Sequence, residues 1–246
     1  MKRKSLIFLM ISCMIFVFAL TGCSKKNKEE GGSADAQESA VMETDENGEP
    51  VAAMPETDEN GETLAADDAA SAVPEEPAEL LKGKYHATIT VAGYGKIMLE
   101  LDADIAPITV TNFVTLAQDG FYDGLTFHRI IDKFMIQGGD PDGSGFGGSG
   151  RNIKGEFASN GVENPISHVK GTISMARGND YNSASSQFFI MVDDATYLDG
   201  EYAAFGHVTD GQDVVDQIAA DAQPVDQNGS IAADAQPVIQ KIEITN

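Results

Sequence analysis

Ala87, Ile89 and Val91 alternate with more polar residues, and Ile97, Leu99 and Leu101 do so again after Gly93-Tyr94-Gly95. A period of two marks a half-buried strand, and glycines between two such runs predict a hairpin. The period then changes. Pro107 can open a helix, where its missing N–H is harmless. Val110, Phe113, Val114 and Ala117 form an i, i+3, i+4, i+7 stripe, and Gly120 supplies the stop. Short β-type runs follow at about 126–131, 134–138, 172–175, 187–192, 203–208 and 238–244. A second helix is predicted over about 211–220, with Val214, Val215 and Ile218 inward. Many short strands with two helices predict a mainly β domain, an antiparallel barrel closed or nearly so.

Upstream of Lys84 this patterning is lost. Residues 1–22 carry Lys2, Arg3 and Lys4, then an apolar run from Leu6 to Leu20. That run is shorter than the ~20 residues a membrane-spanning helix needs, so an export signal is favoured over an uncleaved anchor. Leu20-Thr21-Gly22-Cys23 resembles the lipobox of bacterial lipoproteins, which implies lipid on Cys23 and an anchor at the extracytoplasmic face of the cell membrane. Residues 24–82 contain no Phe, Tyr or Ile and are rich in Ala, Glu, Asp and Gly. Low hydropathy with high charge cannot offset chain entropy by burial. The chain is therefore divided into a signal (1–22), a lipidated cysteine with a disordered acidic tether (23–83) and a folded domain (84–246). A flexible tether of that length spans about 40–45 Å. Within it, Glu43–Glu49 recurs as Glu56–Glu62. The Asp-x-Asn-Gly in each copy lacks the remaining ligands and closing Glu of a calcium loop. A second echo, Ile218–Val225 repeated as Ile231–Val238, reads as a lengthened surface loop.

Charge and cysteine content narrow the function. The net charge is −23. The tether and the domain are each acidic, so no basic patch remains for nucleic acid. The two cysteines are Cys13, inside the apolar run, and Cys23. The domain itself has no thiol for redox chemistry. The four histidines (His86, His128, His168 and His207) lack metal spacing. The glycines from Gly138 to Gly150 are not followed by Gly-Lys-Ser/Thr, so a phosphate loop is set aside. Neither metal nor cofactor is expected.

The chemistry is concentrated in Phe127 to Asp140, F-H-R-I-I-D-K-F-M-I-Q-G-G-D. One cation (Arg129), one amide (Gln137) and two large apolar side chains (Phe134, Met135) lie on two short strands. Ser186-Gln187-Phe188-Phe189-Ile190 adds a second amide and more aromatic surface. This composition suits a neutral apolar group carrying an amide. These blocks resemble the signature of the cyclophilin family of peptidyl-prolyl cis-trans isomerases. So do Ala106–Phe113, Gly120–Arg129, Ser174-Met175-Ala176, Leu198-Asp199-Gly200 and Phe205-Gly206. The similarity runs over roughly 84–246.

The resemblance implies a closed eight-stranded barrel capped by two helices, with the site on its outer wall. It implies catalysis by Arg129, which would donate to the prolyl nitrogen as the amide twists, with Gln137 holding substrate and orienting the arginine. It implies a proline pocket walled by Phe134, Met135, Phe189 and Leu198. Gly145, Ala176, Arg177 and Gln187 would contact residues before the proline. Tyr197 and Tyr202 stand where many members have Trp and His, which implies weaker binding of the inhibitor cyclosporin. One extra residue lies between Met175 and Gln187, in the loop carrying Asn179 to Asn182. The competing readings are an ion pair of Arg129 with Asp132 or Asp140, ordinary core for the apolar residues, and a purely structural role for His128, the last of which is favoured. The expected partners are proline-containing peptides and unfolded exported proteins, acted on by a monomer. A non-catalytic proline-peptide binding module or chaperone on the same fold is the alternative.

Overall fold

A computed structural model describes residues 79–245. The signal, Cys23 and almost all of the tether lie outside the described residues. β1 (Lys84–Val91) and β2 (Gly95–Asp102) form the expected hairpin, with Ala87 opposite Leu99 and Ile89 opposite Ile97. α1 spans Pro107–Gln118 and buries the predicted stripe. β3 (Thr126–Ile131), β4 (Met135–Asp140), β5 (Thr172–Met175), β6 (Phe188–Met191), β7 (Ala204–Asp210), α2 (Gln212–Asp221) and β8 (Ile239–Thr245) follow. All lie within two residues of their expected bounds.

The eight strands pair antiparallel in one sheet, ordered β3-β4-β6-β5-β7-β2-β1-β8. The sheet curls into a half-barrel but does not close into the expected barrel. β3 and β8 remain its outer strands. Their seam is crossed by an isolated bridge, Thr126–Val238, and by a few backbone bonds such as Phe127 N–H to Pro237 O (2.9 Å). The reason lies on the edge of β3. Register shifts between Thr126 and Arg129 bend that strand, as bulges do. The chain before β8 then occupies its free edge, with Ile130 donating to Gly229 O and Ile231 to His128 O.

Inside the curl, Phe113 of α1 packs against Tyr122, Phe188 and Phe205, with ring centroids 5.2–5.5 Å apart. The start of α1 has no capping side chain of its own. The buried Glu156 carboxylate accepts the N–H groups of Ile108 (3.0 Å) and Thr109 (2.7 Å) instead. It satisfies orphan donors and sits at the positive end of the helix dipole.

Strand alternation separates core from site. Ile130, Ile136, Ile190 and Ile173 are cross-strand neighbours on β3, β4, β6 and β5, and all are fully buried. One step along, Arg129, Gln137, Phe189 and Ser174 form the next row. On the other side of the isoleucines, Ile131, Met135 and Met191 form another. Because successive side chains point to opposite faces, both flanking rows lie on the face opposite the isoleucines.

The glycine-rich turn after β4 is folded around one carboxylate. Asp140 is 1% exposed and accepts the N–H groups of Asp142 (2.8 Å), Ser144 (2.9 Å) and Gly145 (2.5 Å). Burial pushes its pKa up, but the N–H groups of Asp142, Gly145 and Gly147 outweigh this and hold it below the usual carboxylate range. A carboxyl depressed on folding stabilises the protein above its unfolded pKa of about 3.9, and that stability is lost as pH falls through the folded value. Urea-unfolding free energy is expected to decline as pH is lowered from about 5 to 3. Asp140→Asn is expected to cost about 1–3 kcal/mol at pH 7 and to make that decline shallower. An equally steep decline in the variant would show that other groups carry it.

Candidate active site

The outer row of β3, β4 and β6 carries a directed chain of hydrogen bonds. The Arg129 guanidinium is half-buried. Its Nε–H donates to the Asn228 carbonyl at 2.7 Å, and its Nη1 donates to Gln137 Oε1 at 3.1 Å. Met135 Sδ lies 4.0 Å from the same nitrogen. Gln137 Nε2 donates to Gln187 Oε1 at 2.9 Å. Gln187 Nε2 donates in turn to the carbonyls of Gly145 (2.9 Å) and Gly147 (2.8 Å). An arginine can only donate, so its position fixes which way both amides face. Its donors go to these groups and not to Asp132 or Asp140, so the ion pair considered for it is not formed among the described residues. Burial lowers the Arg129 pKa, yet an arginine keeps its proton at neutral pH.

Beside this chain lies an apolar cluster separate from the interior core. Met135, Phe189, Met191 and Ala195 are its buried members, and Ile131, Phe134, Ala176, Leu198 and Tyr202 pack against them. The four residues expected to wall a pocket are therefore together, outside the main core. Phe134 is partly open, and its ring stacks on Tyr197 at 6.3 Å and 17°. Tyr197 is 49% exposed, at the rim. Tyr202 meets Phe189 edge-on at 5.8 Å.

The expected contact of Arg177 is through its backbone, and its side chain is engaged elsewhere. The guanidinium lies over the rings of Tyr202 (4.8 Å), Tyr181 (5.0 Å) and Phe157 (5.2 Å), and Nε donates to Glu201 O. Each such contact stabilises by about 0.5–2 kcal/mol. The side chain is thus held by aromatic rings, and the one-residue-longer loop contributes Tyr181 to them. The backbone of Ala176 bonds that of Gln187 (3.0 Å), so these two expected contact residues are adjacent.

Behind the cluster, the fully buried His168 stacks on Phe189 at 5.9 Å. Nδ1 lies 2.9 Å from Asp199 and Nε2 lies 3.0 Å from Ser174 Oγ. Burial lowers the imidazole pKa against the raising effect of Asp199. An ionised carboxylate can only accept, so the nitrogen facing it, Nδ1, carries a proton. The order Ser-His-Asp has the form of a hydrolytic triad, but Ser174 is fully buried in β5 and no substrate carbonyl can reach it. His128 is also buried, and burial lowers its pKa. It packs against the turn at Gly145.

The arrangement offers an apolar recess, a cation beside it and a ladder of backbone and amide groups along one side. Sequence reasoning missed Asn228, Glu156 and the His168–Asp199 pair, and considered Asp140 only as an ion-pair partner of Arg129. Only Asn228 had a local signal, the Asn-Gly turn dipeptide at 228–229.

The chain is similar to known proteins. Residues 86–246 match the family model described as cyclophilin type peptidyl-prolyl cis-trans isomerase/CLD. The chain is 49% identical over 143 residues to a peptidyl-prolyl cis-trans isomerase of Helicobacter pylori, covering 57% of this chain and 83% of that one. It is 48% identical over 118 residues to one from Synechococcus elongatus, covering 48% and 77%. A crystal structure of a Cryptosporidium parvum cyclophilin type isomerase superposes with a TM-score of 0.59 at 29% identity, covering 67% of this chain and 99% of that one. A second structure of the same protein, determined in the presence of the dipeptide Ala-Pro, superposes with a TM-score of 0.58. A family model spanning residues 86–246 and relatives near half-identical over most of their length place this chain in the cyclophilin-type peptidyl-prolyl cis-trans isomerase family.

Proposed function

We propose that this protein catalyses rotation about X–Pro peptide bonds, with Arg129 as the catalytic donor. Amide resonance sets a barrier of about 18–20 kcal/mol, and the uncatalysed step takes tens to hundreds of seconds. Only interactions stronger in the twisted amide than in the planar one lower that barrier. On twisting, the prolyl nitrogen becomes pyramidal and gains a lone pair. A guanidinium beside the proline pocket meets that lone pair only then. The carrying observation is the contact of Arg129 with both halves of the site, Gln137 at 3.1 Å and Met135 at 4.0 Å.

In this reading Phe134, Met135, Phe189 and Leu198 hold the proline ring, and Gln137 orients Arg129 and the substrate backbone. Gln187, Ala176, Gly145 and the backbone of Arg177 border the residues that precede proline, and Tyr197 and Tyr202 edge the pocket. A proline-peptide substrate fits the Ala-Pro dipeptide present with the Cryptosporidium structure. A binding module without catalysis would need no donor for a twisted amide, and the buried, hydrogen-bonded placing of Arg129 argues against it.

The basic start, apolar run and Leu20-Thr21-Gly22-Cys23 support export and lipid anchoring through Cys23. The domain then works as a monomer at the extracytoplasmic face, at the end of its acidic tether, on exported proteins as they fold.

Arg129→Ala is expected to lower kcat/KM by roughly 10²–10³ in a protease-coupled isomerisation assay, about 3–4 kcal/mol of transition-state stabilisation. Peptide binding should change far less, and equal losses in the two would sink the mechanism. Cys23→Ser is expected to abolish the diacylglyceryl-sized mass addition in membrane fractions. A variant processed and fractionated like the parent would refute the lipobox reading. Tyr197→Trp is expected to tighten cyclosporin binding about tenfold, since indole adds an N–H donor and apolar area. Turnover should stay within about an order of magnitude, and unchanged inhibition would move attention to Tyr202 or the loop near Asp180.

A further inference from the structure

The repeated segment flanks a five-residue turn, Asp226-Gln227-Asn228-Gly229-Ser230, that touches Arg129. The first copy ends at Val225, whose N–H donates to Ser230 O at 2.8 Å, and Pro224 bridges to Ile231. The second copy begins at Ile231 and runs along the free edge of β3, with Ile231 N–H on His128 O and Phe127 N–H on Pro237 O. The two copies together press the turn against the strand that carries Arg129. Gly229 is held where no larger residue fits. Its φ is +86°, and a Cβ there would fall 2.5 Å from Ile131 and 2.7 Å from Ile130 O.

Asp226 organises the turn. Its Oδ1 accepts Ser230 N–H at 2.9 Å. Burial pushes its carboxyl up, but the N–H groups of Ser230, Asn228 and Gly229 outweigh this and lower it. Gly229 N–H also faces the Asp226 carbonyl at 3.4 Å. In a planar trans peptide unit the N–H and the C=O point in opposite directions. The Gly229 N–H and the Asn228 C=O belong to one such unit. An N–H turned toward the Asp226 backbone carbonyl therefore turns the Asn228 carbonyl toward Arg129, where it accepts Nε–H at 2.7 Å, and the Asp226 side chain acts on this unit by closing the turn at Ser230.

We propose that Asp226 is a positioning residue for Arg129, its carboxylate closing the turn through the Ser230 N–H so that the Asn228 carbonyl inside the turn holds the guanidinium in line with Gln137. Without that acceptor, Arg129 is fixed at one nitrogen only and can swing about its long side chain. Asp226 itself touches no substrate. The proposal deepens the reading of Arg129 as the donor and is tested separately from it.

The test uses the full chain with labelled arginine side chains and two readouts, solvent exchange of the Arg129 Nε–H by NMR and isomerase kinetics. In Asp226→Ala the exchange is expected to quicken about tenfold, kcat to fall about five- to tenfold, and KM to stay within about twofold. Asp226→Asn keeps an oxygen acceptor and should restore both readouts to within about twofold of the parent. In an Arg129→Ala background, Asp226→Ala should cost no further activity. Unchanged Nε–H exchange in Asp226→Ala overturns the proposal, as does an equal loss of activity with and without Arg129. If Arg129→Ala alone keeps full activity while Asp226→Ala still quickens exchange, the positioning stands and the catalytic reading of Arg129 falls. Should Asp226→Ala not fold, Asp226→Glu, which keeps the charge but displaces the acceptor by one methylene, takes its place with the same readouts.

Discussion

A strand has two faces, and this domain makes different use of each. On β3, β4, β6 and β5 the isoleucine row at 130, 136, 190 and 173 fills the interior. The rows on either side of it build the site. The period of two ties the two jobs together, because a one-residue slip would turn Arg129 and Gln137 inward and Ile130 and Ile136 outward. Burial of the isoleucines thus fixes the register of the row that carries Arg129 and Gln137. The geometry of that row is enforced by core packing and not only by the polar contacts themselves.

The polar contacts then add direction. Arginine gives donors, each glutamine passes one on, and the glycine turn receives the last. The turn can receive them because Asp140 has gathered its N–H groups inward, leaving carbonyls of Gly145 and Gly147 for Gln187. At the far end, the Asp226 carboxylate accepts the Ser230 N–H across the turn whose Asn228 carbonyl receives Arg129. The chain of amides is suspended between two turns, each folded around a carboxylate.

Much of this was legible beforehand, for a physical reason. Strand alternation and the α1 stripe are local, so the elements fell within two residues of expectation. Phe134, Met135, Gln137 and Phe189 sit in motifs compact enough to be read together. What escaped were partners far apart in sequence. Glu156 reaches α1 across 48 residues, and Asn228 reaches Arg129 across 99. No local pattern announces such a pair. Barrel closure was misjudged for a related reason. Strand count and order do not reveal that the chain before β8 takes the edge of β3 that β8 would have paired with.

The two glutamines and the arginine have one more consequence. None of them gains or loses a proton anywhere near neutrality. Burial lowers the pKa of the nearby imidazoles of His128 and His168. The charge state of the machinery is therefore constant over a wide acid-to-alkaline span, unlike that of an enzyme whose base must be poised near pH 7. Its acid limit is set by whatever keeps the glycine turn folded, so acidity would silence this site by loosening its scaffold before altering its chemistry.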